Sequence, residues 1–490
     1  MTGRSHPGRK QGTAQWPQRS RVAKNGDGVS HAPERKFSRD RAPPPGVFAF
    51  ACAADRVHLP PILTMATTLA DRRARVAEAL HLDHAILLVG AGERVRLPER
   101  SDQTYPFRAH ADYYYLAGLD APGGVVAFDP KDGNRDGWVS FVPDVTEAEK
   151  IWEGREQPPG RSVAGLEAWL SQRRGRPVAT LGSPLRGVRP DAGQVFRTHV
   201  LFQHARRPKD EGELALLRRT AVATAAGFAR LRAELKPGVT ERALQIELEA
   251  EFFRHGATRP GYDTIVGSGP NAAVLHFSPT ARAAREGEFV LVDAGAEIDR
   301  YMTDVTRTYV VGRPSAFQRD LYQAVLHAEE RAIARCVVGA EWREVHLAAA
   351  VDLVSGLVHM GVMRGTPEAL VEQDAHTLFF PHGLGHMVGL GVRDGSGLFP
   401  WRAKSTRESL ATLRMDLPLA AGYVVTVEPG LYFIPALLQD PVRRERHKEC
   451  VNWELADQHL HLGGVRIEDN VVVTAGAPEN LTAAIPKQLE

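Results

Sequence analysis

The stretch FVLVDAGAEIDRYMTDVTRTYVV, residues 289–311, decides the fold of this chain. Phe289–Val292 is apolar and Thr306–Val311 is rich in β-branched and aromatic residues, so each segment predicts a buried strand. Asp293 ends the first strand, and Asp304 stands eleven residues on, just before the second. Adjacent antiparallel strands would bring the two carboxylates together.

Three more polar residues stand beside predicted strands. Glu428 ends the strand Tyr423–Val427, Glu468 lies inside the strand Val465–Val473, and His386 follows a glycine-rich turn. An acidic residue within an apolar strand is costly unless it is paired or bound to a metal. Four carboxylates and one imidazole suit two hard or borderline divalent ions with bridging carboxylates.

Each of these residues also has an ordinary structural explanation when taken alone. An Asp at the end of a strand is usually a turn former or a cap. His382 and His386, four residues apart near glycines, could be loop histidines, and Glu468 could pair with Arg466. The joint occurrence of all five, in this order, favours the metal site.

Composition limits the class of protein and its compartment. At 490 residues with 43% hydrophobic and 24% charged residues, two soluble globular domains are expected. The net charge of +2 predicts no obligatory nucleic-acid or membrane partner. Three well-separated cysteines without a CxxC pair exclude a disulfide scaffold and a thiolate zinc site, and they suit a reducing compartment. No apolar run approaches the roughly 18 residues of a membrane span. We therefore expect a cytoplasmic protein.

Residues 1–64 differ from the rest. They hold eleven Lys/Arg against four Asp/Glu, a surplus of seven, and they show no apolar period, so we expect disorder. Val47–Ala54 is too short and too deep in the chain for a signal peptide. A true start at Met65 would explain such a tail, and a basic nucleic-acid arm is the alternative.

The remaining chain divides in two. Residues 65–205 predict an α/β domain, with Arg206–Lys209 as the boundary and residues 206–490 as the catalytic domain. The elements that we expect are the helices Asp71–Leu80, Glu211–Leu235, Thr240 to about His255 and Ser315 to about Cys336, and the strands His84–Gly90, Gly124–Phe128 and Val139–Val142.

Five blocks resemble the signatures of the prolidase and aminopeptidase P family. They are Asp293-Ala294-Gly295, Thr303-Asp304-Val305-Thr306-Arg307-Thr308, His382-Gly383-Leu384-Gly385-His386, Thr426-Val427-Glu428-Pro429-Gly430 and Gly464-Val465-Arg466-Ile467-Glu468-Asp469. The resemblance covers about residues 100–485. It implies an α/β (α+β) protein in which a pita-bread catalytic domain follows a smaller α/β domain, and it implies cleavage of peptide bonds that involve proline.

The resemblance also implies a role for each site residue. Asp293 would bind one metal ion, His386 and Glu428 the other, and Asp304 and Glu468 would bridge both. Manganese is the expected ion, and cobalt or zinc would suit the same ligands. A divalent ion makes water easier to deprotonate, which supplies the nucleophile for hydrolysis.

The substrate contacts come from the same resemblance. His276 and His382 would contact the substrate and stabilise the tetrahedral state, and Arg466 would also contact the substrate. Glu428 would carry the proton to the leaving nitrogen. In one place the chain departs from the family. Where relatives carry Val-His-Asp, seven residues after the metal histidine, this sequence has Val392-Arg393-Asp394. A guanidinium there could grip a carboxylate.

Two subfamilies remain open. The long segments Gly395–Leu419 and Leu431–Gly464, and Arg414 at the place where prolidases hold the substrate carboxylate, favour an Xaa-Pro dipeptidase. Against this, the block Tyr105–Gly118 is more similar to aminopeptidase P, which cleaves longer Xaa-Pro-Yaa peptides. We expect the dipeptidase, with aminopeptidase P as the alternative.

Other proteins of the same fold are less compatible with this sequence. A metal-free amidinohydrolase or a non-catalytic binding module would lose several of the five ligands, all of which are present. A methionine aminopeptidase would lack the N-terminal domain and the long insertions. The resemblance further implies small proline-containing peptides as partners and a homodimer or a tetramer.

Overall fold

The computed structural model of the protein describes residues 68–99 and 101–489. The expectations for residues 1–64, including Val47–Ala54, lie outside the described residues. None of the helices within the described ranges is long and apolar enough to cross a membrane.

The N-terminal part is built on one five-stranded sheet. In spatial order its strands are Arg161–Ser162, Trp138–Val142, Val125–Phe128, Ile86–Gly90 and Val178–Gly182. Ile86–Gly90 is buried along its whole length, as its unbroken apolar run predicts. The helices of this part are Leu69–Leu80, Ala111–Ala117, Glu147–Glu153, Leu166–Ser171 and Ala192–Arg206.

The passage between the two parts is buried rather than solvated. Arg206 and Lys209 are 3% and 1% exposed. Arg206 Nη1 donates to Asp112 Oδ1 at 2.7 Å, and its Nη2 donates to Asp394. Lys209 Nζ lies 2.8 Å from Asp394 Oδ2. These ion pairs join the N-terminal part to a turn of the C-terminal part, so the junction is fixed.

Three of the longer helices of the C-terminal part begin after a residue whose side chain accepts a hydrogen bond from the first turn. Asp210 and Ser315 each form a capping box, and Thr240 accepts a hydrogen bond from the Ala243 amide. The helices are Glu211–Glu234, Glu241–Arg254, Ala316–Ala334, Trp342–His359, Pro367–Glu372, Glu408–Ala411, Pro435–Leu438, Pro441–Arg446 and Trp453–Gln458. Leu214, Leu217 and Phe228 face the core, as their spacing on one helix face predicts.

Antiparallel strands enclose the centre of this part. One sheet orders Val305–Val310, Phe289–Ala294 and Ile265–Ser268, and another orders Val424–Val427, Asp469–Val472 and Glu479–Asn480. Gly430–Tyr432 pairs with Gly464–Arg466. The remaining strands are Arg259–Pro260, Ala296–Ile298, Tyr301–Met302, Gly397–Leu398 and Met415–Asp416. An isolated bridge between Thr306 and Glu468 links the first sheet to the chain between the other strands.

Two predicted strand boundaries need correction. Asp293 lies within the strand Phe289–Ala294 rather than after its end. The predicted strand Val465–Val473 is two strands, because Gly464–Arg466 and Asp469–Val472 pair with different partners. Glu468 stands at the break between them, which frees it from both ladders.

Candidate metal centre

The site begins with the register of two strands. Thr306 pairs with Asp293 and Val305 with Ala294, so Asp293 and Asp304 come to the same end of the sheet. Gly295 is required there, since a Cβ atom at this position would lie 1.8 Å from the Thr303 carbonyl oxygen. The close crossing of the two segments brings the second carboxylate back beside the first.

His386 is fixed by its backbone and by one ring nitrogen. Its amide donates to Thr426 Oγ1 at 3.0 Å, and the Thr426 amide donates to the His386 carbonyl at 2.7 Å. Nδ1 lies 3.1 Å from the Met387 carbonyl oxygen, which can only accept, so Nδ1 carries the proton. Nε2 is therefore the free lone pair. It lies 3.5 Å from Asp304 Oδ2 and 3.7 Å from Glu428 Oε1.

Three buried side chains converge on one point. One potential ligand atom from each of Asp304, His386 and Glu468 lies within 4.8 Å of the others. Thr306 Oγ1 donates to Glu468 Oε2 at 2.7 Å, which orients that carboxylate. The sequence predicted all three as metal ligands, and the structure brings them together.

Asp293 is held differently from the other carboxylates. Tyr262 donates its hydroxyl hydrogen to Asp293 Oδ1 at 2.6 Å, and Arg466 Nη2 donates to Asp293 Oδ2 at 2.5 Å. The ion pair of Arg466 is thus with Asp293, not with Glu468, its neighbour along the chain. A buried guanidinium compensates one carboxylate of the four.

The charges of the site fit divalent cations. Burial, with the repulsion of neighbouring carboxylates, raises the pKa of Asp304 and of Glu468 well above the usual range. Burial likewise raises the pKa of Glu428 to about 7. Negative charges that destabilise one another in a buried space are stabilised by cations placed among them. Carboxylate oxygens with one imidazole are a donor set for manganese, cobalt or zinc.

His382 adjoins the centre and is held in a neutral form. Its Nδ1 donates to the Gly383 carbonyl at 2.9 Å, and its Nε2 lies 2.9 Å from the Tyr432 hydroxyl. Burial, together with the charge of Arg466, lowers the pKa of His382 to about 3. Nδ1 is also 3.8 Å from Glu428 Oε2. Both ring nitrogens of His382 are therefore engaged, and the ring is fixed beside a carboxylate of the site.

All predicted site residues line one cavity of about 400 Å³. His276, Arg393 and Arg414 are exposed on its wall. Burial lowers the pKa of His276, and the charges of Arg393, Arg466 and Arg414 lower it further. The cavity is large enough for a short peptide beside the carboxylates.

Three residues of the site were missed by the sequence analysis. Tyr262 holds Asp293, Tyr432 holds His382, and Asn470 receives the Asp304 amide on its Oδ1 at 2.9 Å. Asn470 lies two residues beyond Glu468 on the predicted strand, so alternation along that strand could have indicated it. No local pattern indicates the tyrosines.

The fold and the site define a metallopeptidase. Residues 215–475 match the family model described as metallopeptidase family M24, and residues 69–167 match the N-terminal domain of aminopeptidase P. The chain belongs to metallopeptidase family M24, which confirms the resemblance to the Xaa-Pro peptidases with the pita-bread fold.

Named relatives and solved structures agree with this assignment. The Xaa-Pro aminopeptidase of Escherichia coli K12 is 31% identical over 453 residues, 86% of this chain and 95% of the relative. A probable Xaa-Pro aminopeptidase of Tuber melanosporum is 30% identical over 402 residues, 80% of this chain and 87% of the relative.

Similar solved structures cover both parts of the chain. Aminopeptidase PepP of Pseudomonas aeruginosa matches with a TM-score of 0.70 and 26% identity, over 87% of this chain and 97% of that one. A zinc-substituted aminopeptidase P of E. coli in complex with product matches with a TM-score of 0.69 and 28% identity, over 86% and 96%. These likenesses favour the aminopeptidase alternative over the dipeptidase that the long insertions predicted.

Proposed function

We propose that the protein is an Xaa-Pro aminopeptidase, which removes the N-terminal residue from Xaa-Pro-Yaa peptides. The observation that carries this proposal is the aminopeptidase P type N-terminal domain at residues 69–167, in front of a complete set of five candidate ligands. Small proline-containing peptides are the proposed substrates. We further propose the division at residues 205 and 206, a cytoplasmic location and a homodimeric or tetrameric assembly.

The five ligands would hold two divalent ions, with manganese as the proposed pair. Asp293 would bind one ion, His386 and Glu428 the other, and Asp304 and Glu468 both. When bound, such ions polarise the peptide carbonyl and make water available as a nucleophile near neutral pH.

The protein's own residues position the proton transfers. Glu428, whose carboxylate lines the cavity, would accept a proton from the attacking water and return it to the leaving nitrogen. Its Oε2 lies 3.8 Å from His382 Nδ1. Tyr432 accepts from Arg466 Nη1 at 2.8 Å and donates to His382 Nε2. These hydrogen bonds fix the neutral ring of His382 at the cavity wall, where it would contact the substrate.

Xaa-Pro dipeptidase activity is the second candidate. The observation that favours it is the presence of Arg393 and Arg414 on the cavity wall, since a dipeptidase must bind a free carboxylate next to the cleaved bond. An aminopeptidase must instead leave room for the chain beyond proline.

The test compares three matched peptides with manganese supplied: Ala-Pro, Ala-Pro-Ala and Ala-Ala-Ala. We expect kcat/KM for Ala-Pro-Ala to exceed that for Ala-Pro at least tenfold and Ala-Ala-Ala to be inert. Faster cleavage of Ala-Pro would establish the dipeptidase. If no peptide is cleaved and the purified protein binds no divalent ion, it is a binding module.

A further inference from the structure

Arg393 is a positive charge of the cavity wall that the protein itself does not pair. Among the residues that the structure describes, its guanidinium has no hydrogen-bond or ion-pair partner, and its side chain is exposed at the cavity. Asp263 lines the same cavity without coming within ion-pair distance. Of the three arginines that line the cavity, Arg466 is committed to Asp293 at 2.5 Å.

The backbone that carries Arg393 is rigid. Its neighbour Asp394 is 4% exposed and receives hydrogen bonds from Arg206, Lys209 and, at 3.1 Å, the Leu390 amide. The Asp394 amide donates to the Met387 carbonyl at 3.0 Å, one residue beyond His386. A buried ion network at the domain junction thus fixes the guanidinium's point of attachment beside the metal centre.

The charge of Arg393 acts on the centre. It lowers the pKa of His276 and of His386, and it opposes the effect of burial on Glu428. Arg414 lines the same wall. Burial lowers the pKa of Arg393, and the positive charge of Arg414 lowers it further. Two neighbouring guanidiniums repel each other unless an anion lies between them.

The carboxylates of the centre are not that anion. Glu428 and Asp304 attract Arg393 only from beyond ion-pair distance. Two divalent ions would neutralise the four carboxylates by formal charge, which leaves the positive charges of Arg393 and Arg414 for a ligand. A free carboxylate matches a guanidinium in charge and in geometry.

We propose that Arg393 is a specificity-determining residue that selects Xaa-Pro-Yaa tripeptides by the free C-terminal carboxylate one residue beyond proline. This inference rests on the proposed function. Only two residues of an Xaa-Pro-Yaa tripeptide lie beyond the cleaved bond, and they span about 7 Å when extended. Its C-terminus therefore stays close to the cavity wall that holds Arg393 and Arg414.

The test uses Ala-Pro-Ala and its C-terminal amide, which differ in the carboxylate charge alone. The metal-loaded wild-type enzyme should prefer the free acid in kcat/KM by about tenfold or more, because the lost contact is charge-assisted. In Arg393→Gln the acid-to-amide ratio should fall to within about threefold, with most of the loss in KM for the acid. Arg393→Lys should retain part of the preference, and Arg174→Gln, a change at an exposed arginine of the N-terminal domain, should keep all of it.

The outcomes separate this inference from the proposed function. The acid-to-amide ratio is insensitive to general damage to the site, since such damage lowers kcat/KM for both substrates alike. If the wild type cleaves acid and amide equally, or if Arg393→Gln keeps the full preference, Arg393 does not select the carboxylate although the aminopeptidase stands. If neither tripeptide is cleaved, the proposed function itself fails.

Discussion

Lys487 closes a buried charge network beside the candidate metal centre, and its removal should destabilise the C-terminal part of the protein. Its Nζ lies 2.7 Å from Glu329 Oε2 and 2.6 Å from Asp469 Oδ2, and neither acidic side chain is exposed. Arg307 Nη2 donates to Asp469 Oδ1 at 2.7 Å, and Arg307 Nη1 donates to the Glu468 carbonyl at 2.7 Å. The network therefore reaches the backbone of a predicted metal ligand.

The magnitude follows from burial. Breaking a buried ion pair by removing one partner costs about 3–5 kcal/mol. Lys487 is 19% exposed, and burial raises the pKa of Glu329 to about 8, so Glu329 can take up a proton when Lys487 is lost. Both facts reduce the expected loss, so Lys487→Met should lower the free energy of unfolding by about 3 kcal/mol, the lower end of that range.

The assay is thermal melting with a matched control. Lys448 makes the same kind of contact, 2.8 Å to Glu445 Oε1, but the two side chains are 57% and 74% exposed. Lys487→Met should lower Tm by roughly 5–10 °C if the catalytic domain melts as one unit. Lys448→Met should change stability by less than about 1 kcal/mol.

A double variant tests the reasoning more sharply. Glu329→Gln removes a charge that Lys487→Met leaves unpaired, so the double variant should be more stable than the sum of the two single effects. Equal Tm shifts in Lys487→Met and Lys448→Met, or strictly additive effects in the double variant, would refute the account.

Three other predictions address the centre, the pH dependence and the tail. Asp304→Asn should lower metal content, by elemental analysis, and abolish turnover while the circular dichroism spectrum is kept; full occupancy would contradict the bridging role. Burial lowers the pKa of His346 to about 3 and of His376 to about 4, so the unfolded state takes up protons that the native state refuses as pH falls below about 6.5. Each of these histidines should lower the free energy of unfolding by about 2 kcal/mol between pH 7.5 and 5. Denaturant titrations of His346→Leu should show a weaker dependence of that free energy on pH. A shortened protein that begins at Met65 should keep full activity and Tm, because residues 1–64 show no core-forming pattern; a clear fall in Tm would count against this.

The sequence could predict the parts of the site that local rules control. Asp293 and Asp304 stand eleven positions apart beside two apolar segments, which predicts adjacent antiparallel strands, and the strands Phe289–Ala294 and Val305–Val310 do pair that way. Asp210 and Ser315 start helices because each can satisfy amides of the first turn. Such signals need only a few neighbouring residues.

The missed residues depend on contacts between distant parts of the chain. Tyr262 reaches Asp293 across 31 positions, and Tyr432 reaches His382 across 50. Lys487, three residues from the end, would be expected on the surface, yet it binds Glu329 158 positions away. The break at Glu468 was missed for a related reason, since it arises where two strand segments take different partners.

The contrast between two buried charge clusters explains why one is structural and the other functional. Arg307 and Lys487 pair directly with Asp469 and Glu329, so the polar groups of that cluster are satisfied within the protein and it needs no ligand. The centre beside it holds four carboxylates and one committed cation, Arg466. Such an excess of buried negative charge destabilises the empty fold, so it persists in a stable protein when cations bind there. The strands and the cluster of Arg307, Lys487, Asp469 and Glu329 hold these carboxylates close together. Bound cations would relieve the repulsion between the carboxylates, so that relief would contribute to the affinity for metal.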